Sequence, residues 1–210
     1  MPEPTRAPAW ALLCEWTKTQ ALRRHALSVE ATMRALARRA GTADRAEIEA
    51  WGVVGMLHDF DYERYPSLEE HVLRGMEILR ERGWPEAIVR AVGAHANYSG
   101  IAPETPMERA IVAADELSGF VGACALVRPS RSVRDLPPES VVKKMKDKTF
   151  ARGVDRGELR RGAELLGMAL VELVALVIEA QKPLADALGI GGVAAPDLGD
   201  APVPEVPAGA

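Results

Sequence analysis

The sequence predicts an all-α domain, and three observations carry that expectation. Apolar residues recur at three- and four-residue spacing along most of the chain, as one face of a helix requires. Helix punctuation recurs between these segments: acid-bearing capping pairs and prolines at starts, glycines at stops. No alternating pattern competes, because Val, Ile and Thr fall mostly inside the helix-period segments.

The elements follow in order. Residues 8–16 are expected to form a short helix. A longer one spans 19–40, with Leu22, Ala26, Val29, Met33 and Leu36 as its apolar stripe, and stops at Gly41, a residue suited to left-handed backbone. Asp44 with Glu47 opens a third helix, in which Ile48, Trp51 and Gly55 lead to His58. Ser67 with Glu70 repeats the device for 68–82, where Leu68, Val72, Gly75, Met76 and Leu79 make the stripe and Gly83 the stop. Pro85 suits the first turn of a fifth helix, to Ala96. Thr105-Pro106 opens a sixth, to Leu126. Pro138 starts a short basic helix to Lys148. Asp155 with Glu158 opens a long helix to Gln181, and a last short one ends at Gly189. Residues 191–210, rich in Ala, Pro and Gly and without hydrophobic period, are expected to be a disordered tail. The chain thus divides into an N-terminal helical segment (1–18), a helical core (19–126), a C-terminal helical extension with a basic stretch (127–190) and the tail (191–210).

Composition narrows the class. A chain of 210 residues makes one domain with appendages, and 48% hydrophobic residues suffice for a core. The net charge of −4 argues against a general binder of nucleic-acid polymers. Two cysteines, Cys14 and Cys124, give neither a disulfide framework nor a thiolate metal pattern, and suit a reducing compartment. The N-terminus lacks a basic region followed by an apolar run, and the most apolar stretch, 165–180, is interrupted by Glu172 and Glu179. A soluble, cytoplasmic protein with no membrane partner is expected. The apolar excess near 159–181 allows a homodimer interface. Trp10, Trp16, Trp51 and Trp84 read as core or interface fillers.

The chemistry concentrates in the histidines. There are four, His25, His58, His71 and His95, and each lies in register with the inward stripe of its own helix. Asp59 follows His58 directly, and Asp115 shares a helix face with Ile111, Ser118 and Gly122. Five helices therefore aim a metal-capable side chain inward. A buried carboxylate needs a cation or hydrogen-bond donors, so two of them among imidazoles favour a metal site. Imidazole with carboxylate suits iron or manganese first, with zinc, cobalt, nickel or magnesium also open.

This pattern resembles the HD-domain superfamily of metal-dependent phosphohydrolases, in its HDIG-like branch. The matching residues are His25 in Arg24-His25-Ala26-Leu27, the doublet in Met56-Leu57-His58-Asp59, and Asp115 in Ala114-Asp115-Glu116, over about 19–126. The resemblance implies an HD-type helical bundle. It implies one ion held by His25, His58, Asp59 and Asp115, with His71 and His95 holding a second that Asp59 bridges while orienting a hydroxide. It implies hydrolysis of a small phosphate-containing substrate: a phosphomonoester, nucleotide or phosphodiester. Di-iron oxygenase chemistry on the same scaffold, and a non-catalytic metal-bound sensor, are the alternatives. Phe60-Asp61-Tyr62 departs from the family's commoner Ile-Gly after the doublet, and Asp61 reads as a helix-end or turn residue. Residues 128–161 carry eleven Lys and Arg against five acids. From that stretch Arg128, Lys146 and Lys148 are the candidates for binding the substrate phosphate.

Overall fold

The computed structural model describes residues 4–200, and among these the fold is all-helical. The helices are α1 (Arg6–Trp16), α2 (Gln20–Arg39), α3 (Arg45–Leu57), α4 (Leu73–Glu81), α5 (Glu86–Ala94), α6 (Pro106–Leu126), α7 (Pro138–Lys144), α8 (Arg156–Leu165) and α9 (Leu170–Gln181), followed by a 3-10 turn, Lys182–Leu184. Ser132 and Gly191 form an isolated antiparallel bridge. No helix among the described residues is long and apolar enough to cross a membrane.

Helix α2 is the spine. It packs against α3, α6 and α9, while α6 in turn carries α5 and α8. Of the expected stripe of α2, Ala26, Val29, Met33 and Leu36 are buried and Leu22 is half-buried. Gly55 lets α3 close on α2: a Cβ there would stand 2.8 Å from the Val29 carbonyl oxygen and 2.9 Å from Glu30 Cα. Buried charge locks the same corner. The Glu30 side chain accepts from Arg6 Nε at 2.8 Å and from Arg34 Nε at 3.0 Å, and Arg34 Nη1 reaches Glu49 at 2.7 Å. One carboxylate thereby ties α1 to α2, and its guanidinium neighbour ties α2 to α3.

Several starts were legible because a side chain supplies the acceptor that a first turn lacks. Asp44 accepts from Ala46 N at 3.0 Å and Asp155 from Gly157 N at 2.6 Å. Thr105 and Glu108 form a reciprocal capping box at α6. Each such cap stabilises by about 1 kcal/mol.

Three expectations are corrected. The segment 68–82 is not helical from its start: Ser67 opens a single turn, Val72 then takes φ 59, and α4 begins at Leu73. Leu68, placed on the apolar stripe by spacing, is accordingly 64% exposed. The long helix 155–181 is two helices. Gly167, at φ 62, ends α8 with its N–H donated to Glu164 O and that of Met168 to Ala163 O, the paired bonds of a Schellman stop. The basic helix ends at Lys144, because Asp147 captures the amides of Thr149 and Phe150 in a turn.

Residues 191–200 have no helix, yet they lie along α2 and do not run free as a disordered tail would. Gln20 exchanges two hydrogen bonds with the backbone of Leu198, Arg23 donates to the same carbonyl at 2.9 Å, and the Leu198 side chain is buried. The remainder of that segment, 201–210, lies outside the described residues.

Candidate metal centre

The site gathers where helices end. His58 follows the last residue of α3 and His95 the last of α5. Each ring donates Nδ1–H back into its own helix, His58 to Gly55 O at 2.8 Å and His95 to Val92 O at 2.6 Å. The bond serves twice. It gives a side-chain donor to a carbonyl in the last turn of the helix, and it fixes the tautomer whose Nε2 lone pair faces the centre. His71 is set the same way by Asp61, which accepts from its Nδ1 at 3.1 Å. His25 comes from the first half of α2 and Asp115 from the middle of α6, so bundle packing brings them together.

Two donor sets result. In the first, His25 Nε2 stands 3.0 Å from Asp115 Oδ1, and His58 Nε2 lies 3.3 Å from His25 Nε2, 3.3 Å from Asp115 Oδ1 and 3.4 Å from Asp59 Oδ2. In the second, Asp59 Oδ1 stands 3.1 Å from His71 Nε2 and 3.3 Å from His95 Nε2. Asp59 belongs to both and gives each a different oxygen. Donors about 2.1 Å from a shared ion stand about 3.0–3.4 Å apart in octahedral or tetrahedral arrangement. The observed separations fall in that range, so the residues present fit a divalent ion in each set.

The chemistry of the first set points the same way. With its Nδ1–H given to Gly55, neutral His58 turns a lone pair toward a carboxylate oxygen of Asp59, one of Asp115 and the Nε2 of His25. One proton serves a single pair of these atoms, whereas a cation serves all four. Electrostatics shows the same hunger for positive charge. Burial opposes a charged His58, but the carboxylates of Asp59 and Asp115 outweigh it and hold its pKa well above the ordinary histidine value. Burial likewise opposes a charged His71, and hydrogen bonds to Asp59 and Asp61 overcome it, raising the pKa to about 9. Asp115 is pushed down: burial would raise it, but the His58 charge and the bonds from His25 and His58 prevail.

Asp61 is the residue sequence spacing undervalued. It does sit in a turn, but it is buried, and besides His71 Nδ1 it accepts from Val72 N at 3.1 Å and Gly75 N at 3.0 Å. One carboxylate therefore orients a ligand and caps α4. Gly75 is small for that reason, since a Cβ there would lie 2.8 Å from Asp61 Cγ. The preceding turn is pinned by Thr17 Oγ1 donating to Phe60 O at 3.0 Å.

A cavity of about 310 Å³ opens onto Asp59, His71, His95 and Asp115. Its other walls include Tyr62, Asn97, Tyr98, Val112, Glu116 and Glu158. Burial first, then the Asp59 charge, lifts the Tyr98 phenol to about 12, so it stays a donor. Among the described residues no Lys or Arg lines this cavity. Arg128, Lys146 and Lys148 are elsewhere: Arg128 pairs with Asp135 at 3.2 Å, and both lysines are exposed around the end of α7. None of the three lines this cavity. Sequence reasoning also passed over the wall residues. Asn97 and Tyr98 follow His95 by two and three positions, and Glu116 follows Asp115, so adjacency to a ligand was the available signal.

Comparison with curated proteins and with solved structures gave no match. The family model described as HD domain matches residues 22–119, a span that begins just before His25 and ends just after Asp115. That match, on a helical bundle in which Asp59 of the His-Asp doublet belongs to two donor sets, places the chain in the HD superfamily of metal-dependent phosphohydrolases.

Proposed function

We propose that the chain is a metal-dependent phosphohydrolase acting on a small phosphate ester at a two-ion centre. The observation that carries this reading is Asp59, whose two oxygens face two separate donor sets 3.1–3.4 Å away. Divalent ions bound there would supply Lewis acidity and lower the pKa of water toward neutrality. The chain's own residues do the rest. His25, His58, Asp59 and Asp115 would hold one ion; Asp59, His71 and His95 would hold the other. Asp61, Gly55 O and Val92 O keep the imidazoles in the binding tautomer. Tyr98 presents a phenolic donor, and Asn97 an amide, to the departing or non-reacting oxygens of a bound ester.

The walls restrict the substrate. The cavity is at the small end for organic ligands, and among the described residues its wall offers the carboxyl acceptors Glu116 and Glu158 but no Lys or Arg. These features favour a monoester whose organic part carries hydroxyl or amino donors over a polyphosphate, whose charge calls for Lys or Arg.

Elemental analysis of protein purified without chelator, followed by hydrolysis of p-nitrophenyl phosphate and its diester under aerobic and anaerobic conditions, tests the reading. About two equivalents of metal and oxygen-independent release of p-nitrophenol are expected. His95→Ala should lower the metal content from two toward one. Activity that needs oxygen and is lost with manganese would move the protein to the oxygenase chemistry of the same scaffold. A metal-replete protein inert toward every phosphate ester would leave binding without catalysis.

A further inference from the structure

A second cavity, of about 490 Å³, opens between α2, α6 and the segment after the 3-10 turn. His25 lines it, but Asp59, His71, His95 and Asp115 do not. Gly122, Ile190 and Val193 contribute to its largely apolar wall. Two cations interrupt that wall, Arg24 and Arg131, and neither guanidinium has a carboxylate partner among the described residues. Arg24 donates Nη2 to Pro196 O at 3.0 Å, while its Nε is buried with no hydrogen-bond partner. That N–H is unfavourable where it stands, but Arg24 as a whole is only half-buried and lines the cavity, so its guanidinium offers charge to a ligand oxyanion there. Arg131 stands at φ 50, a conformation disfavoured for a residue with a side chain and often found where a ligand is clamped. The α6 side is open as well, because a Cβ on Gly122 would meet only Ile190, at 4.0 Å.

We propose that this cavity is a second ligand site, separate from the hydrolytic cavity, for an organic oxyanion with a short aliphatic body. The head is held by Arg24 and Arg131, and the body lies along Gly122, Ile190 and Val193. The two guanidiniums exclude cations, and the apolar wall excludes fully hydrated inorganic anions.

Calorimetric titration of the metal-loaded protein with octanoate and with octanesulfonate, neither of which can be hydrolysed at a phosphoester bond, tests this, with octanol and methanesulfonate as controls. One amphiphilic anion per chain should bind, and the preferred head distinguishes a planar carboxylate ligand from a tetrahedral oxyanion. Octanol and methanesulfonate should bind at least about tenfold more weakly, as expected when a charge-assisted pair or the apolar contact is missing. Arg24→Gln should weaken the anion by a similar factor. Gly122→Leu should fill the cavity and abolish binding, with circular dichroism confirming the fold. Asp59→Ala, which removes the ion-bridging group of the other cavity, should leave binding intact. Binding that survives both Arg24→Gln and a folded Gly122→Leu overturns the site, and so does binding lost in Asp59→Ala alone, which would put the anion on the metal ions. Absence of saturable binding by either anion overturns it too.

Discussion

Asp59 concentrates the function in one side chain, because two donor sets share it while each histidine belongs to a single set. Asp59→Ala should therefore remove both ions and abolish hydrolysis while circular dichroism keeps its helical signal. An active, metal-replete variant would sink the assignment. Asp61 makes the finer test. Replacing it with Ala strips the acceptor from His71 Nδ1 and from the amides of Val72 and Gly75, each of them buried. A stability loss of about 2–4 kcal/mol is expected from those unpaired donors, together with selective loss of the second ion. Chemical denaturation and metal content read the two effects separately, and equal loss of both ions would contradict the ordering role. His25 and Asp115 were legible because their spacing puts each on an inward helix face, and His58 and His95 because they continue that spacing at a helix end; His71 was reached by the same spacing although it stands in the turn before α4. The full role of Asp61 was not. Its partners lie ten to fourteen positions away and meet it only after the chain turns back, which no local period records.

Helix starts were readable at α3, α6 and α8, where the capping side chain lies within three residues of the amide it serves. Starts and stops were misread where a distant or non-periodic group decided them. At α4 the amide that should continue the helix from Ser67 is captured by Asp61, and Val72 pays in backbone strain for it. At Gly167 the apolar period runs on unbroken from α8 into α9, so only the left-handed glycine marks the stop. Gly167→Ala should cost about 1 kcal/mol, the penalty for forcing a Cβ into that conformation, with no effect on metal content. Unchanged or increased stability would mean that the stop does not depend on it. The α1–α2–α3 corner depends on charge in a way that spacing also hides. Glu30→Ala would leave buried Arg34, and Arg6 with it, without their shared acceptor. A loss of about 3–5 kcal/mol is expected, the range for breaking a buried ion pair from one side. A loss near that of an exposed pair would show the network to be solvated in solution.

At the scale of the molecule, the bundle brings like-charged and lone-pair-bearing groups into contact, and a bound cation would make that contact more favourable. Asp59 and Asp115 lie within reach of His25, His58, His71 and His95, contributed by α2, α6 and the ends and approaches of α3, α4 and α5. Folding assembles the centre, so an ion bound there favours the folded state over an unfolded chain that holds no such arrangement. At a free-ion concentration about a hundred times the dissociation constant, the linkage amounts to about 2.7 kcal/mol for each ion. For a chain of this length that corresponds to a rise of roughly 5–11 °C in melting temperature per ion. Chelator-treated protein should melt lower by at least the margin of one ion, and manganese or iron should restore it. Asp59→Ala, lacking the shared ligand, should melt at the same temperature with and without metal. A melting temperature in the wild-type protein that ignores both chelator and added metal would show that the donor sets are satisfied by protons and packing alone, and would remove the physical basis for the hydrolytic centre.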